Sequence, residues 1–259
     1  FGICEDRDEL AAMAGDADVV WIYGGSRLAS RQNMPLLPRC RGIIRSGSGV
    51  DRIDVDAASE AGIVVINVPH AHHDAVSDHT IALMFAVGRR IVSQDAAMRS
   101  TGWPRRRDLL PTWSLRRKTI GLIGFGLIPR YVVRKLQGFE PTFLVYDPFV
   151  DPTTLAETGV EGCELDDLLA RSDIVSIHTP LTAETHGLIG ERELGLMQSS
   201  AILINTARGP VIQEAALVQA LTEHQILGAG LEVFEEEPIT VENPLLPLEN
   251  VVVTPHTAG

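Results

Sequence analysis

Short runs of β-branched and apolar residues alternate with helix-like segments along almost the whole chain, and no other feature limits the fold as strongly. The runs lie at 18–22, 42–45, 64–67, 119–124, 142–146, 174–178, 201–205 and 251–254. Between them, segments such as 164–171 and 213–223 place apolar residues three and four apart. This alternation predicts an α/β fold of parallel sheets with helices on both faces. The chain has 259 residues, 45% apolar and 22% charged, which is enough for a sizeable core in one large or two medium domains. A formal net charge of -12 argues against the basic face of a nucleic-acid binder. The basic run Arg105-Arg106-Arg107 is short and reads as a solvated or subunit-contacting loop. Cys4, Cys40 and Cys163 are odd in number and far apart, so free thiols in a reducing compartment are expected. The apolar stretch at 81–87 is far short of the roughly twenty residues of a membrane span. No signal segment is visible, and a cytoplasmic location is the expectation.

Residues 74–99 form a long helical pattern interrupted only by Gly88, followed by a polar, Pro-containing loop to Lys118. A domain boundary is expected at 68–74, near Val68-Pro69. The first domain then covers 1–72 and the second 73–255, with 256–259 starting a return to the first.

The segment GLIGFGLIPRYVV, residues 121–133, has Gly124 and Gly126 after an apolar run and before a helix-like stretch to Leu136. The next run ends in Asp147, about 20 residues after Gly126. Strand, glycine turn, helix, strand and acid together predict a dinucleotide site. The first glycine makes the tight turn, the second lets backbone approach a pyrophosphate, and the helix N-terminus offers the N–H groups of Leu127 and Ile128. Asp147 would accept from ribose hydroxyls and repel a 2′-phosphate, which favours NAD over NADP. Pro129 stands where a third glycine is usual. Proline is tolerated in a first helical turn, so a several-fold weaker cofactor is expected rather than loss of binding.

Five further segments carry chemistry: RSGSGVDRID (45–54), NVPHAHHDAVSDHTIAL (67–83), NTARGPVIQEAAL (205–217), GAGLEVFEEEP (228–238) and VVVTPHTAG (251–259). In order and spacing they resemble the D-isomer-specific 2-hydroxyacid dehydrogenase family, notably its phosphoglycerate dehydrogenase-like and C-terminal binding protein-like branches. The resemblance implies a Rossmann-type NAD-binding domain plus a smaller flavodoxin-like α/β substrate domain, with the active site in the cleft between them. It implies an NAD-dependent oxidoreductase acting on a small D-2-hydroxy or 2-oxo acid. Arg208 resembles the arginine that grips the substrate carboxylate, for which a guanidinium offers a bidentate fork. His256 resembles the general acid that protonates the carbonyl oxygen, and Glu237 the partner that holds its imidazole. Ser48 and Gly49 match backbone donors to the substrate carboxylate. Further cofactor contacts implied are His79, Thr179, Pro180, Thr185, Thr206, Ala207 and Glu232. Residues 78–113 are expected to form a homodimer arm.

Three positions depart from the family pattern. Pro129 is one. Leu127 replaces a residue that is often polar or basic, and Glu232 stands where Asp is usual. Together they predict weakened cofactor binding rather than a different fold. The alternative is a dinucleotide-sensing corepressor-like protein with weak or lost catalysis. A formate dehydrogenase-like reading is disfavoured, because that branch pairs its histidine with Gln. The cluster His70, His72 and His73 has no completing ligand apart from Asp74, so no metal is expected; the loop is expected to border the substrate cleft and tune specificity. A phosphorylated substrate would need a cation, for which Arg45, Arg52 and this cluster are candidates. Family members extend further at both ends, so the chain is expected to be part of a longer one whose added segments complete the small domain.

Overall fold

The computed structural model describes residues 3–23, 25–105 and 112–259. Phe1, Arg106, Arg107 and part of the expected dimer arm lie outside them. Two compact units are formed, one from residues 1–72 with Gly259, the other from 73–258.

In the first unit, α1 (Arg7–Met13) is capped by the Asp6 carboxylate, which accepts from the N–H groups of Asp8 and Glu9. Strands β1 (Val19–Ile22), β2 (Gly42–Arg45) and β3 (Val64–Asn67) pair in parallel in the order β1-β2-β3. Helix α2 (Val55–Glu60) precedes β3 and is capped by Asp54. Register places Val20, Ile43 and Val65 on one face, where they pack with Leu10, Ala57 and Ala58.

The second unit opens with α3 (His73–Gly88) and α4 (Ile91–Thr101). The continuous helix expected over 74–99 is therefore corrected to two. Arg90 adopts a left-handed backbone, φ 54°, and Gly88 packs so closely under the Trp113 ring that a Cβ would approach it to 2.8 Å. Tertiary packing turns the chain there, where local propensity alone would continue the helix.

The chain continues as β4 (Thr119–Ile123), α5 (Leu127–Leu136), β5 (Thr142–Tyr146), α6 (Pro152–Thr158), β6 (Glu161–Gly162), α7 (Leu165–Arg171) and β7 (Ile174–Ile177). It ends with α8 (Glu191–Leu196), β8 (Ile202–Asn205), α9 (Glu214–Thr222), β9 (Gly228–Leu231) and β10 (Val251–Val253). These strands form one parallel sheet in the order β10-β9-β8-β7-β4-β5-β6. Strands β7, β8 and β9 are buried along their whole length, as expected when helices cover both faces. Alternate residues feed two cores. Val175, Ile177 and Leu203 pack with Leu168 and Leu217, whereas Ile120, Leu122 and Ile204 pack with Leu83, Met84 and Val132.

From β4 the chain winds outward through β5 and β6, then returns to β7 on the other side. The strand order reverses there, and in such sheets ligands bind at the carboxyl ends beside the reversal. Among the described residues, no helix is long and apolar enough to cross a membrane.

Candidate active site

The glycine turn joins β4 to α5 beside that reversal. Gly124 has φ +89°, a left-handed conformation that favours glycine. A Cβ there would lie 3.0 Å from the carbonyl of His178 and the nitrogen of Thr179. Gly126 is different: a Cβ would meet nothing within 4 Å, so open space lies above the turn. Leu127 and Ile128 begin α5, and their N–H groups have no acceptor among the described residues. Pro129 is the third residue of an uninterrupted helix and is buried. The turn thus offers free donors, a helix dipole and room, which suits a pyrophosphate.

Asp147 has a structural duty here. One carboxylate oxygen accepts from the N–H of Phe125 at 2.8 Å and the other from the N–H of Phe149 at 2.9 Å. Arg130, which sequence reading did not single out, donates to the Phe125 carbonyl at 3.1 Å and lies over the Phe125 ring.

The loop after β7 is folded on itself by Thr185, whose hydroxyl donates to the Pro180 carbonyl at 2.6 Å and accepts from the N–H of Thr182 at 2.8 Å. The Thr179 hydroxyl also donates to the Pro180 carbonyl. His178, just before it, was missed from sequence because it reads as the end of an apolar strand. Its Nε2 sits 3.0 Å from the Ser176 hydroxyl, and burial pushes its pKa from 6.5 down to about 3. A histidine of this kind takes up a proton on unfolding between those two values, so stability declines as pH falls from 6.5 toward 3. Between pH 7 and pH 5 the loss from this group is expected to reach about 2 kcal/mol. Urea unfolding of wild type and His178→Gln at both pH values checks this; an equal loss in the two proteins would refute it.

The proposed catalytic residues leave the carboxyl ends of three neighbouring strands. Register aligns Asn205 of β8 with Leu231 of β9, and Leu231 with Val253 of β10. After β8, the buried Asn205 side chain donates to the Arg208 carbonyl and accepts from the N–H of Ala207, both at 3.0 Å. This clamp, unread from sequence, fixes the TARG turn. The Arg208 guanidinium donates to the Ala207 carbonyl at 2.6 Å. Gly209 lies against the backbone of Phe234 and Glu235; a Cβ there would come within 1.8 Å of the Phe234 carbonyl. That approach seats the Arg208 turn on the segment carrying Glu237.

Glu237 accepts from the N–H of Phe234 at 3.0 Å with one oxygen. The other lies 2.7 Å from Nδ1 of His256. The Glu237 side chain is 12% exposed and that of His256 33%: a largely desolvated carboxylate holds a ring that still reaches solvent. His256 has φ 55°, rare for a non-glycine residue and costing about 1–2 kcal/mol. Its N–H donates to the Glu232 carbonyl at 3.0 Å.

Glu232 is 1% exposed. Its carboxylate accepts from the Thr254 hydroxyl and the N–H of Ala258, and lies 3.2 Å from His79 Nε2. His79 also meets the Thr254 hydroxyl at 2.9 Å. One residue further along α3, the Thr80 hydroxyl meets that of Thr206 at 2.9 Å. Helix α3 thereby ties the ends of β8 and β10 together. The Glu232 carboxylate is thus held by three partners, Thr254, Ala258 and His79.

In the first unit, the loop of Ser48 and Gly49 is held by β1 and β3. The Ser46 N–H donates to the Ile22 carbonyl at 3.1 Å, and the Asn67 amide to the Ser48 carbonyl at 2.7 Å. Arg52 donates to the Gly25 carbonyl at 2.6 Å, and Arg45 to the Ser46 carbonyl at 3.1 Å. His72 lies near Gly259. His73 begins α3, with its ring edge-on to Tyr131 at 4.5 Å. Among the described residues, no group of three His, Cys, Asp or Glu side chains could hold a metal ion.

Residues 81–258 match the model of the D-isomer specific 2-hydroxyacid dehydrogenase NAD binding domain. D-3-phosphoglycerate dehydrogenase of Mycobacterium tuberculosis (strain ATCC 25618 / H37Rv) is 38% identical over 97% of this chain and 47% of its own. The chain thus spans about half the length of that curated relative. Glyoxylate reductase of Thermococcus litoralis is 42% identical over 85% of this chain and 67% of its own. The solved structure of D-lactate dehydrogenase from Aquifex aeolicus with NAD and lactic acid superposes with a TM-score of 0.85 at 30% identity, covering 96% of this chain and 78% of that one. With the glycine turn and the Arg208, Glu237 and His256 set in place, the chain belongs to the D-isomer specific 2-hydroxyacid dehydrogenase family and carries its NAD-binding domain.

Proposed function

We propose that this chain catalyses hydride transfer between NAD and a small D-2-hydroxy acid or its 2-oxo acid. The observation that carries the reading is the Glu237–His256 pair, set at the strand end beside the Arg208 turn. Bound NADH supplies the hydride that reduces the 2-oxo carbon. The protein does the rest. Arg208 binds the substrate carboxylate, with the backbone of Ser48 and Gly49 as further donors. As the carbonyl oxygen gains negative charge, His256 donates a proton from Nε2, because Nδ1 is held by Glu237. Glu237 orients the ring and stabilises the imidazolium before transfer. The backbone N–H groups of Leu127 and Ile128 hold the pyrophosphate. Asp147 accepts from the adenine ribose, and Thr179, Pro180, Thr185, Thr206 and Ala207 line the rest of the cofactor path. His79 and Glu232 support the nicotinamide end.

The test is loss of NADH absorbance with a panel of 2-oxo acids: glyoxylate, hydroxypyruvate, phosphohydroxypyruvate and pyruvate. Turnover on at least one, abolished in a His256 variant, is expected. No turnover with any of them, despite NADH binding, would overturn the reading. The matched proteins are named as dehydrogenases and reductases, and none of those cited lends support to the corepressor-like alternative.

We also propose a homodimer through residues 78–113, in a cytoplasmic setting. Helix α4 has no buried residue, and Ile91, Val92, Met98 and Trp103 are 53%, 53%, 44% and 87% exposed. A helix of that length is marginal in water without packing. Light scattering is expected to give twice the chain mass for wild type and the chain mass for the double variant Ile91→Asp, Met98→Asp. Equal masses would sink the proposal.

A further inference from the structure

We infer that His178 is a positioning residue for dinucleotide binding, acting through the wall on which the Gly124 turn closes; this rests on the NAD-dependent reading above. His178 is the first residue beyond β7. Its N–H donates to the Ile123 carbonyl at 2.8 Å, so the exits of β7 and β4 are tied together at the sheet's reversal. The open Cβ position of Gly124 then faces the His178 carbonyl and the Thr179 nitrogen at 3.0 Å. On its other side, the N–H of Gly124 donates to the Tyr146 carbonyl at 2.8 Å. The turn is therefore held between two backbone walls, and a shift of a few tenths of an ångström in either reaches the donors of Leu127 and Ile128.

The side chain fixes the His178 wall. Residues two apart on a strand share a face, and the imidazole lies back along β7 to meet the Ser176 hydroxyl at 3.0 Å. Ser176 is fully buried in the sheet interior, so the anchor is rigid. The ring is neutral, since burial drives its pKa far below the ordinary value. It therefore supplies no charge to a phosphate, and its contribution is geometric. Nδ1 has no partner among the described residues, so the Ser176 bond alone sets the ring's orientation through side-chain hydrogen bonding.

Calorimetric titration of the chain with NADH and with ADP-ribose tests this, alongside thermal unfolding without ligand. His178→Ala is expected to weaken NADH and ADP-ribose equally, by about tenfold. Ser176→Ala is expected to weaken both by about threefold. His178→Gln, which keeps a neutral hydrogen-bonding end, is expected to stay within about threefold of wild type. Unchanged affinity in His178→Ala overturns the inference. So does a loss confined to NADH, which would place the effect at the nicotinamide end. A lowered melting temperature with unchanged affinities marks a merely structural residue and also overturns it. Failure of wild type to bind NADH would instead overturn the cofactor reading itself, and this inference with it.

Discussion

Replacing His256 by asparagine is expected to lower kcat for 2-oxo acid reduction by about 10²–10⁴-fold, the range for loss of a general acid. Asparagine is the apt substitution because His256 sits at φ 55°, where asparagine is tolerated. The fold should therefore persist, and the Glu237 carboxylate keeps its bond from the Phe234 N–H. What disappears is the imidazole proposed to donate the proton, a role an amide cannot take. Steady-state kinetics with NADH titration would show the fall in kcat with NADH affinity unchanged. A loss of less than about tenfold would mean the proton comes from elsewhere.

Gly209→Ala is expected to be the most damaging small substitution in the second unit. The added carbon would stand 1.8 Å from the Phe234 carbonyl and 2.5 Å from the Glu235 nitrogen. Both neighbours are backbone, so neither can rotate away as a side-chain end would. Relief requires the Arg208 turn to separate from the segment that carries Glu237. Overpacking of this kind costs about 3 kcal/mol or more. A displacement near 1 Å at Arg208, the arginine proposed to bind the substrate carboxylate, is expected to reduce kcat/KM by about 10²-fold. Urea unfolding and kinetics on the same preparation check the two effects together. Near-wild-type values in both would show that the turn is not held by this contact.

Much of the fold is legible from residue type because both faces of the larger sheet are covered. Strands buried on two sides become runs rich in β-branched and other apolar residues, as in Ile174–Ile177 and Ile202–Asn205. Strand β9 escaped that reading. Its sequence GAGL has no β-branched residue, because Gly228 and Gly230 let Val87 and Leu83 of α3 approach to 3.1 Å of where a Cβ would stand. The short β6 carries no pattern at all. The break between α3 and α4 was equally hidden, since it depends on Trp113, about 25 residues after Gly88 in a separate segment.

The sequence by itself determined the parallel α/β architecture and the glycine turn followed by Asp147, which follow from periodicity and spacing; Arg208, Glu237 and His256 were singled out by the family resemblance of the segments that carry them. Only the tertiary structure decided that Glu237 meets His256 at 2.7 Å, and that Glu232 is enclosed by Thr254, His79 and Ala258. It alone showed that Asn205 clamps the TARG turn and that a neutral His178 stands behind Gly124. The reason is physical. A residue's type fixes which bonds it can make, but its partner is set by strand order and register, which bring together positions far apart in the chain.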